Sequence, residues 1–212
     1  MATTHNSDAD NSQNPKKKGI SRRGFLKGTG LATAGTFAFT NSLFAHDSPT
    51  DTLSVAGPEA KAIELNINDR AVTTLARPDE TLTDVLRERL GLTGTKLVCG
   101  RGACSACTVM IDDEPVCSCL TLALEAQGKK ITTIEGIAKD GKLHPVQEAF
   151  IDEDASMCGY CTPGMVMSCV HLLDTHPNPT EEEIKQSVRG NLCRCGTYPH
   201  VFKAAMSASK KM

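Results

Sequence analysis

Ten cysteines stand in this 212-residue chain, and eight of them fall into two sets of four. Cys99, Cys104, Cys107 and Cys119 have the spacing C-x4-C-x2-C-x11-C, and Cys158, Cys161, Cys193 and Cys195 read C-x2-C-x31-C-x-C. Four thiolates suit a soft metal centre, and the first three-cysteine run has the spacing of a plant-type [2Fe–2S] loop. Such a loop must wrap a small inorganic core and aim amide hydrogens at its sulfurs; Gly100 and Gly102 give it the backbone freedom this needs. The second set implies another device. Cys161 precedes a helix expected near Pro163 and Cys195 one expected near Pro199, so two helix N-termini would turn partial positive charge toward an anionic cluster.

Zinc is the rival metal, but it favours paired short-spaced knuckles, which the first set lacks. Disulfides are the other rival for an even cysteine count, yet Cys104/Cys107 and Cys193/Cys195 are too close for easy bridging. Two cysteines remain. Cys117, on a strand, would share a face with Cys119 and could replace it as fourth ligand; spacing alone leaves both open. Cys169 reads as a small buried apolar residue within a helix.

The elements around the first set are mixed. Lys61–Asn68 alternates with strand period, Asn68-Asp69 makes a turn, and Ala71–Ala76 returns. Thr81–Leu90 places Leu82, Val85, Leu86 and Leu90 on one helical face ending at Gly91. Residues 92–106 form an irregular Gly-, Thr- and Cys-rich loop. Thr108–Ile111 is a strand followed by a hairpin turn at Asp112-Asp113-Glu114-Pro115, and Lys130–Ile134 is the last strand. After a polar linker at 136–143 the period changes to helical at Pro145–Phe150, Pro163–Asp174, Thr180–Val188 and Pro199–Ser207. Thr180 with Glu183 forms a capping box, and Pro163 and Pro199 suit first helical positions.

The first 45 residues are different. They carry six Lys/Arg against two Asp/Glu, whereas residues 46–212 carry 17 basic and 23 acidic groups. Ser21-Arg22-Arg23-Gly24-Phe25-Leu26-Lys27 followed by a mildly apolar Gly/Ala/Thr stretch is the layout of a twin-arginine export signal. It implies a periplasmic protein, membrane-associated if the signal stays uncleaved. Cleavage is expected near Leu43-Phe44-Ala45 or Ser54-Val55-Ala56. With 40% hydrophobic and 23% charged residues the chain is globular, and the acidic body argues against nucleic acid as a partner. His144, His171, His176 and His200 lack ligand spacing and read as surface or capping groups. There is no catalytic triad, phosphate loop or paired-carboxylate motif.

Four runs carry a resemblance: Cys104–Thr108 (C-S-A-C-T), Ile131–Gly136 (I-T-T-I-E-G), Cys158–Gly164 (C-G-Y-C-T-P-G) and Gly190–Pro199 (G-N-L-C-R-C-G-T-Y-P). From about Ile63 to Met206 the chain resembles the small iron–sulfur subunit of the xanthine dehydrogenase (molybdenum hydroxylase) family, which includes aldehyde and isoquinoline oxidoreductases. After the signal and linker read above over 1–57, the resemblance implies an α+β body: a β-grasp ferredoxin-like domain over 58–136 and a four-helix bundle over 143–212. Each domain would hold one [2Fe–2S] cluster. It favours Cys119 over Cys117, giving Cys99, Cys104, Cys107 and Cys119 for the first cluster and Cys158, Cys161, Cys193 and Cys195 for the second.

The resemblance also implies a large partner subunit with a molybdopterin cofactor that oxidises an aldehyde or N-heterocycle. Electrons would pass through the bundle cluster, then the ferredoxin-like cluster, to a flavin subunit or a cytochrome. Cys195 would lie against the pterin, and no substrate site is expected on this chain. Two residues depart from the family pattern. Met157 stands where Gln would touch the pterin, and a thioether cannot donate that hydrogen bond. Ser105 stands where the loop has Gly, and serine accepts positive φ less readily. The competing functions are a free-standing ferredoxin and a zinc- or disulfide-stabilised binding module.

Overall fold

The computed structural model describes residues 57–212; the twin-arginine run and both cleavage candidates lie outside the described residues. Two hydrophobic cores organise residues 57–212. The first lies under a five-stranded mixed sheet: β1 (Lys61–Ile67), β2 (Arg70–Ala76), β3 (Thr108–Ile111), β4 (Glu114–Cys117) and β5 (Lys130–Thr132), in the order β2-β1-β5-β3-β4. β1 and β5 run parallel with Ile67 opposite Ile131, and every other pairing is antiparallel. The alternation in β1 buries Ile63, Leu65 and Ile67 against Leu82, Val85 and Leu86. Asn68 and Asp69 both take positive φ, the conformation that a two-residue hairpin turn requires.

The expected helix over Thr81–Leu90 is present but wider than anticipated. After one α-turn at Leu82–Asp84 it continues as a π-helix at Val85–Arg89, and together these form α1. Thr81 and Asp84 close a capping box at its start, and Gly91 at φ 69° ends it. The hairpin turn after β3 is tighter than expected. Asp112 and Asp113 alone make it, while Glu114 and Pro115 pair with Ile111 and Met110 in β4. Pro115 is tolerated because β4 is an edge strand.

Four helices form the second core: α2 (Pro145–Asp152), α3 (Thr162–Thr175), α4 (Glu181–Val188) and α5 (Tyr198–Ser209). Thr180 and Glu183 cap α4 as the sequence indicates, and His144 caps α2 by accepting the Val146 N–H. Val146, Met165, Met167, Leu173, Ile184, Val188 and Val201 are buried together. Met110 from β3 and Ile137 from the polar linker are buried in this same core, so the sheet and the helices pack as one compact unit.

Candidate functional site

The first cysteine set is shaped by the loop between α1 and β3 and by the turn after β4. Cys107 immediately precedes β3, and the β4 chain leaves the sheet at Cys117 to enter a single 3-10 turn, Ser118–Leu120. That turn separates Cys117 from Cys119, which therefore do not share a strand face. The Cys119 sulfur lies beside Cys107 and accepts the Gly102 N–H at 3.3 Å. The Cys117 sulfur instead faces the Gly102 carbonyl at 3.9 Å and Ser105 Oγ at 3.8 Å.

Cys99 pairs with Cys104 and accepts the N–H groups of Arg101 at 3.5 Å and Ala103 at 3.3 Å. These amides, Arg101 foremost, and the Cys104 thiol beside it bring the Cys99 thiol down to about 6. Burial acts in the opposite direction on Cys119, held at about 11 despite the Gly102 amide. Beneath the site a buried relay fixes Cys107. The Thr83 hydroxyl donates to Ser118 Oγ at 2.6 Å, and Ser118 Oγ donates to the Cys107 carbonyl at 2.6 Å.

The second set joins two helix starts. Cys161 is the residue before α3, and its side chain accepts no cap hydrogen bond there. Burial and the neighbouring Cys193 push Cys161 up to about 12. At the start of α5 the sulfur that meets the helix belongs to Cys193, two residues earlier than the sequence suggested. Burial opposes ionisation of Cys193, yet the hydroxyl and amide of Thr197 bring it to about 7, with Thr197 Oγ1 at 3.1 Å. The Gly196–Thr197 step separates Cys195 from the helix, and Cys195 lies beside Cys158 instead. Cys158 is lowered by the Tyr160 N–H and by Cys195.

Eight sulfurs thus meet in twos: Cys99 with Cys104, Cys107 with Cys119, Cys158 with Cys195, and Cys161 with Cys193. All ten cysteines are free thiols, and among the described residues no three Cys, His, Asp or Glu side chains converge as one ion would need. A [2Fe–2S] centre has two irons and takes two thiolates on each, so pairs of sulfurs with amides aimed at them fit this group. Cys169 is fully buried inside α3, where burial alone holds its thiol at about 12.

The two sets touch through their backbones. Leu192 N–H donates to the Cys104 carbonyl at 3.1 Å, and the Asn191 side chain donates to the Ser105 carbonyl at 3.1 Å. Ser105 keeps the left-handed conformation a glycine would take, at φ 51°. Close approach depends on Gly164, where a Cβ would lie 2.2 Å from the Ser105 carbonyl oxygen. Sequence reasoning missed Ser118, Asn191, Thr197 and Tyr198. Asn191, Thr197 and Tyr198, inside the G-N-L-C-R-C-G-T-Y-P run, had a signal that could have found them; Ser118 had none. The histidines hold backbone: His171 Nδ1 donates to the Asp113 carbonyl and His200 Nδ1 to the Glu153 carbonyl.

The faces of the two sets differ. Cys158 and Cys195 are exposed, with Met157 72%, Tyr160 61% and Leu192 56% exposed around them. In the first set only Cys99 is partly open, near the exposed Leu97, Val98 and Leu120.

Residues 65–132 match the family described as "2Fe-2S iron-sulfur cluster binding domain", and residues 133–206 the one described as "[2Fe-2S] binding domain". The chain is 44% identical over 149 residues to the "Nicotinate dehydrogenase small FeS subunit" of Eubacterium barkeri, covering 70% of this chain and 95% of that one. It is 35% identical over 210 residues to the "Aldehyde oxidoreductase iron-sulfur-binding subunit PaoA" of Escherichia coli K12, covering 92% and 90%. Among solved structures, a chain of quinoline 2-oxidoreductase from Pseudomonas putida 86 superposes with a TM-score of 0.67 at 37% identity, covering 72% of this chain and 98% of that one.

Proposed function

Because this chain belongs to the small iron–sulfur subunits of the molybdenum hydroxylases, which carry electrons away from a large molybdopterin subunit, we propose that its eight paired cysteines hold the two clusters of that wire. The observation that carries this reading is the meeting of sulfurs in twos, four to a site. Cys99, Cys104, Cys107 and Cys119 would bind the first cluster, within a domain spanning 58–136. Cys158, Cys161, Cys193 and Cys195 would bind the second, within a domain spanning 143–212. When bound, the clusters supply one-electron carriers.

The chain's own residues do the rest. Arg101, Gly102 and Ala103 amides stabilise negative charge on the first set, and Thr197 does so on the second. The second site is the entry end, because its exposed sulfurs and apolar rim suit a partner that must come within tunnelling distance. Electrons would then cross at the hydrogen bond between Leu192 and Cys104, which joins a neighbour of Cys193 to a cysteine of the first set. They would leave near Cys99 to a flavin subunit or a cytochrome, against the apolar rim of Leu97, Val98 and Leu120.

Export to the periplasm by the twin-arginine route is part of the same reading. It is supported by Ser21–Lys27 and by the mildly apolar Gly/Ala/Thr stretch that follows it. The decisive experiment measures iron, acid-labile sulfide and zinc per chain on anaerobically purified protein. About four irons and four sulfides are expected from two clusters. In the assembled complex, Cys161→Ser should stop electron flow from the molybdenum subunit while leaving half of the iron. Zinc in place of iron, or unchanged turnover in that variant, overturns the reading.

A further inference from the structure

The contact between the two cysteine loops turns on one buried amide. Asn191 is 2% exposed, and each of its polar atoms is engaged. Nδ2 donates to the Ser105 carbonyl at 3.1 Å, and Oδ1 accepts the Ser168 hydroxyl at 2.9 Å. Its backbone N–H donates to the Val188 carbonyl at 2.9 Å, and its carbonyl accepts the Tyr198 hydroxyl at 2.9 Å. That same Tyr198 oxygen accepts the Cys193 N–H at 2.9 Å.

One end of this residue therefore fixes Cys193 through Tyr198. The other end grips Ser105, the residue that follows Cys104 and lies between it and Cys107. The hydrogen bond that joins the loops beside it, Leu192 N–H to the Cys104 carbonyl, belongs to a residue 56% exposed. Exposed backbone hydrogen bonds with few buried neighbours are the ones that open most readily. A buried amide with both side-chain polar atoms bonded is the opposite case, since breaking it strands polar groups away from water.

We propose that Asn191 is the positioning residue for electron passage between the two cysteine sites, holding the Cys104–Leu192 contact closed from the buried side. This rests on the reading of the chain as a two-cluster wire. The side chain cannot be replaced by its isosteric acid. The Asn191→Asp variant would keep the Ser168 bond but set a carboxylate oxygen against the Ser105 carbonyl, acceptor against acceptor. Ser168→Ala, by contrast, leaves the Asn191 grip on Ser105 in place.

The test uses the purified complex of full-length chains and compares Asn191→Asp, Ser168→Ala and Tyr198→Phe with the parent. Iron per chain and the separate electron paramagnetic resonance signals report whether both clusters are present. The magnetic splitting between the two reduced clusters, and the lag between reduction of the second and the first, report the contact itself. Asn191→Asp should retain both signals, lose or weaken the splitting and lengthen the lag, while Ser168→Ala keeps both near parental values. Tyr198→Phe, which frees the Asn191 carbonyl and the Cys193 amide, should show the same change in milder form, and it decides the matter if Asn191→Asp fails to load iron. Both clusters present with parental splitting and lag in Asn191→Asp, or in Tyr198→Phe where that decides, overturns the proposal. Zinc or no cluster in the parent would overturn the two-cluster reading instead.

Discussion

The two cysteine sites solve one problem with different backbones. The first is wrapped by an irregular loop: N–H groups at positions 101, 102 and 103 point at Cys99 and Cys119, and three of its four cysteines are buried. The second is built at the starts of α3 and α5, takes hydroxyl and amide from Thr197, and leaves Cys158 and Cys195 exposed. A loop can surround its contents, whereas a pair of helix ends can only present them. The enclosed site therefore suits holding an electron inside the chain, and the open one suits receiving it from a neighbour.

The largest effect expected from breaking this comparison comes from moving one sulfur. Cys119→Ser should lower iron from about four to about two per chain and erase the first cluster's signal, leaving the second. Cys117→Ser should leave both, because Cys117 faces the Gly102 carbonyl and not Cys107. Iron analysis with paramagnetic resonance on the two variants checks this. Loss of the first cluster in Cys117→Ser would make the 3-10 turn at Ser118–Leu120 irrelevant to ligand choice.

A smaller effect, on stability, tests whether the sites are independent. Gly164 lies in the first turn of α3, yet it faces the first loop, and a Cβ there would sit 2.2 Å from the Ser105 carbonyl and 3.2 Å from Asn191 Nδ2. Backbone cannot yield as a side chain does. Gly164→Ala should cost about 1–3 kcal/mol in urea unfolding, the usual range for overpacking. Gly190→Ala meets only Ser105 Oγ at 3.3 Å and should cost clearly less. Equal costs would mean that the loops do not need their close approach.

How much of this was legible in the sequence depends on which forces are local. Strand alternation at Ile63, Leu65 and Ile67, the Thr180–Glu183 box and the Gly91 stop are short-range signals, and each falls where the residues indicate. Both cysteine quartets were legible as spacings, and the structure brings their sulfurs together in twos. What the sequence hid was long-range. Nothing local says that Met110, still paired in β3, buries its side chain in the helical core, that Ser118 holds Cys107, or that Asn191 reaches back 86 positions to Ser105. The helix-start argument chose Cys195 where the structure puts Cys193, because sequence distance to Pro199 cannot show the turn at Gly196, with φ 80°. Ser105, a serine in a glycine's place, keeps the positive φ that the loop demands.

The smallest expected effect separates the two halves by pH. In the sheet half α1 is capped by Thr81 with Asp84, and in the helical half α4 is capped by Thr180 with Glu183, whose carboxyl the Thr180 amide and hydroxyl hold below its ordinary value. The cap of α2 is different. His144 Nδ1 accepts the Val146 N–H at 3.2 Å, which requires that nitrogen to be unprotonated. Burial lowers His144 below its ordinary 6.5, partly offset by Asp174. A lowered value in the folded state means that the folded chain binds fewer protons than the unfolded one. The cap's contribution is therefore complete above 6.5 and is lost as pH falls through the folded value. Replacing the titrating cap with a neutral one, His144→Asn, should remove this loss, with a difference of about 0.5–2 kcal/mol between the two proteins in acid and little at neutral pH. Thermal unfolding of both iron-loaded proteins across that range is the measurement. A parallel pair of curves would show that the α2 cap does not set the acid limit, and that acid acts on the sheet and helical halves alike.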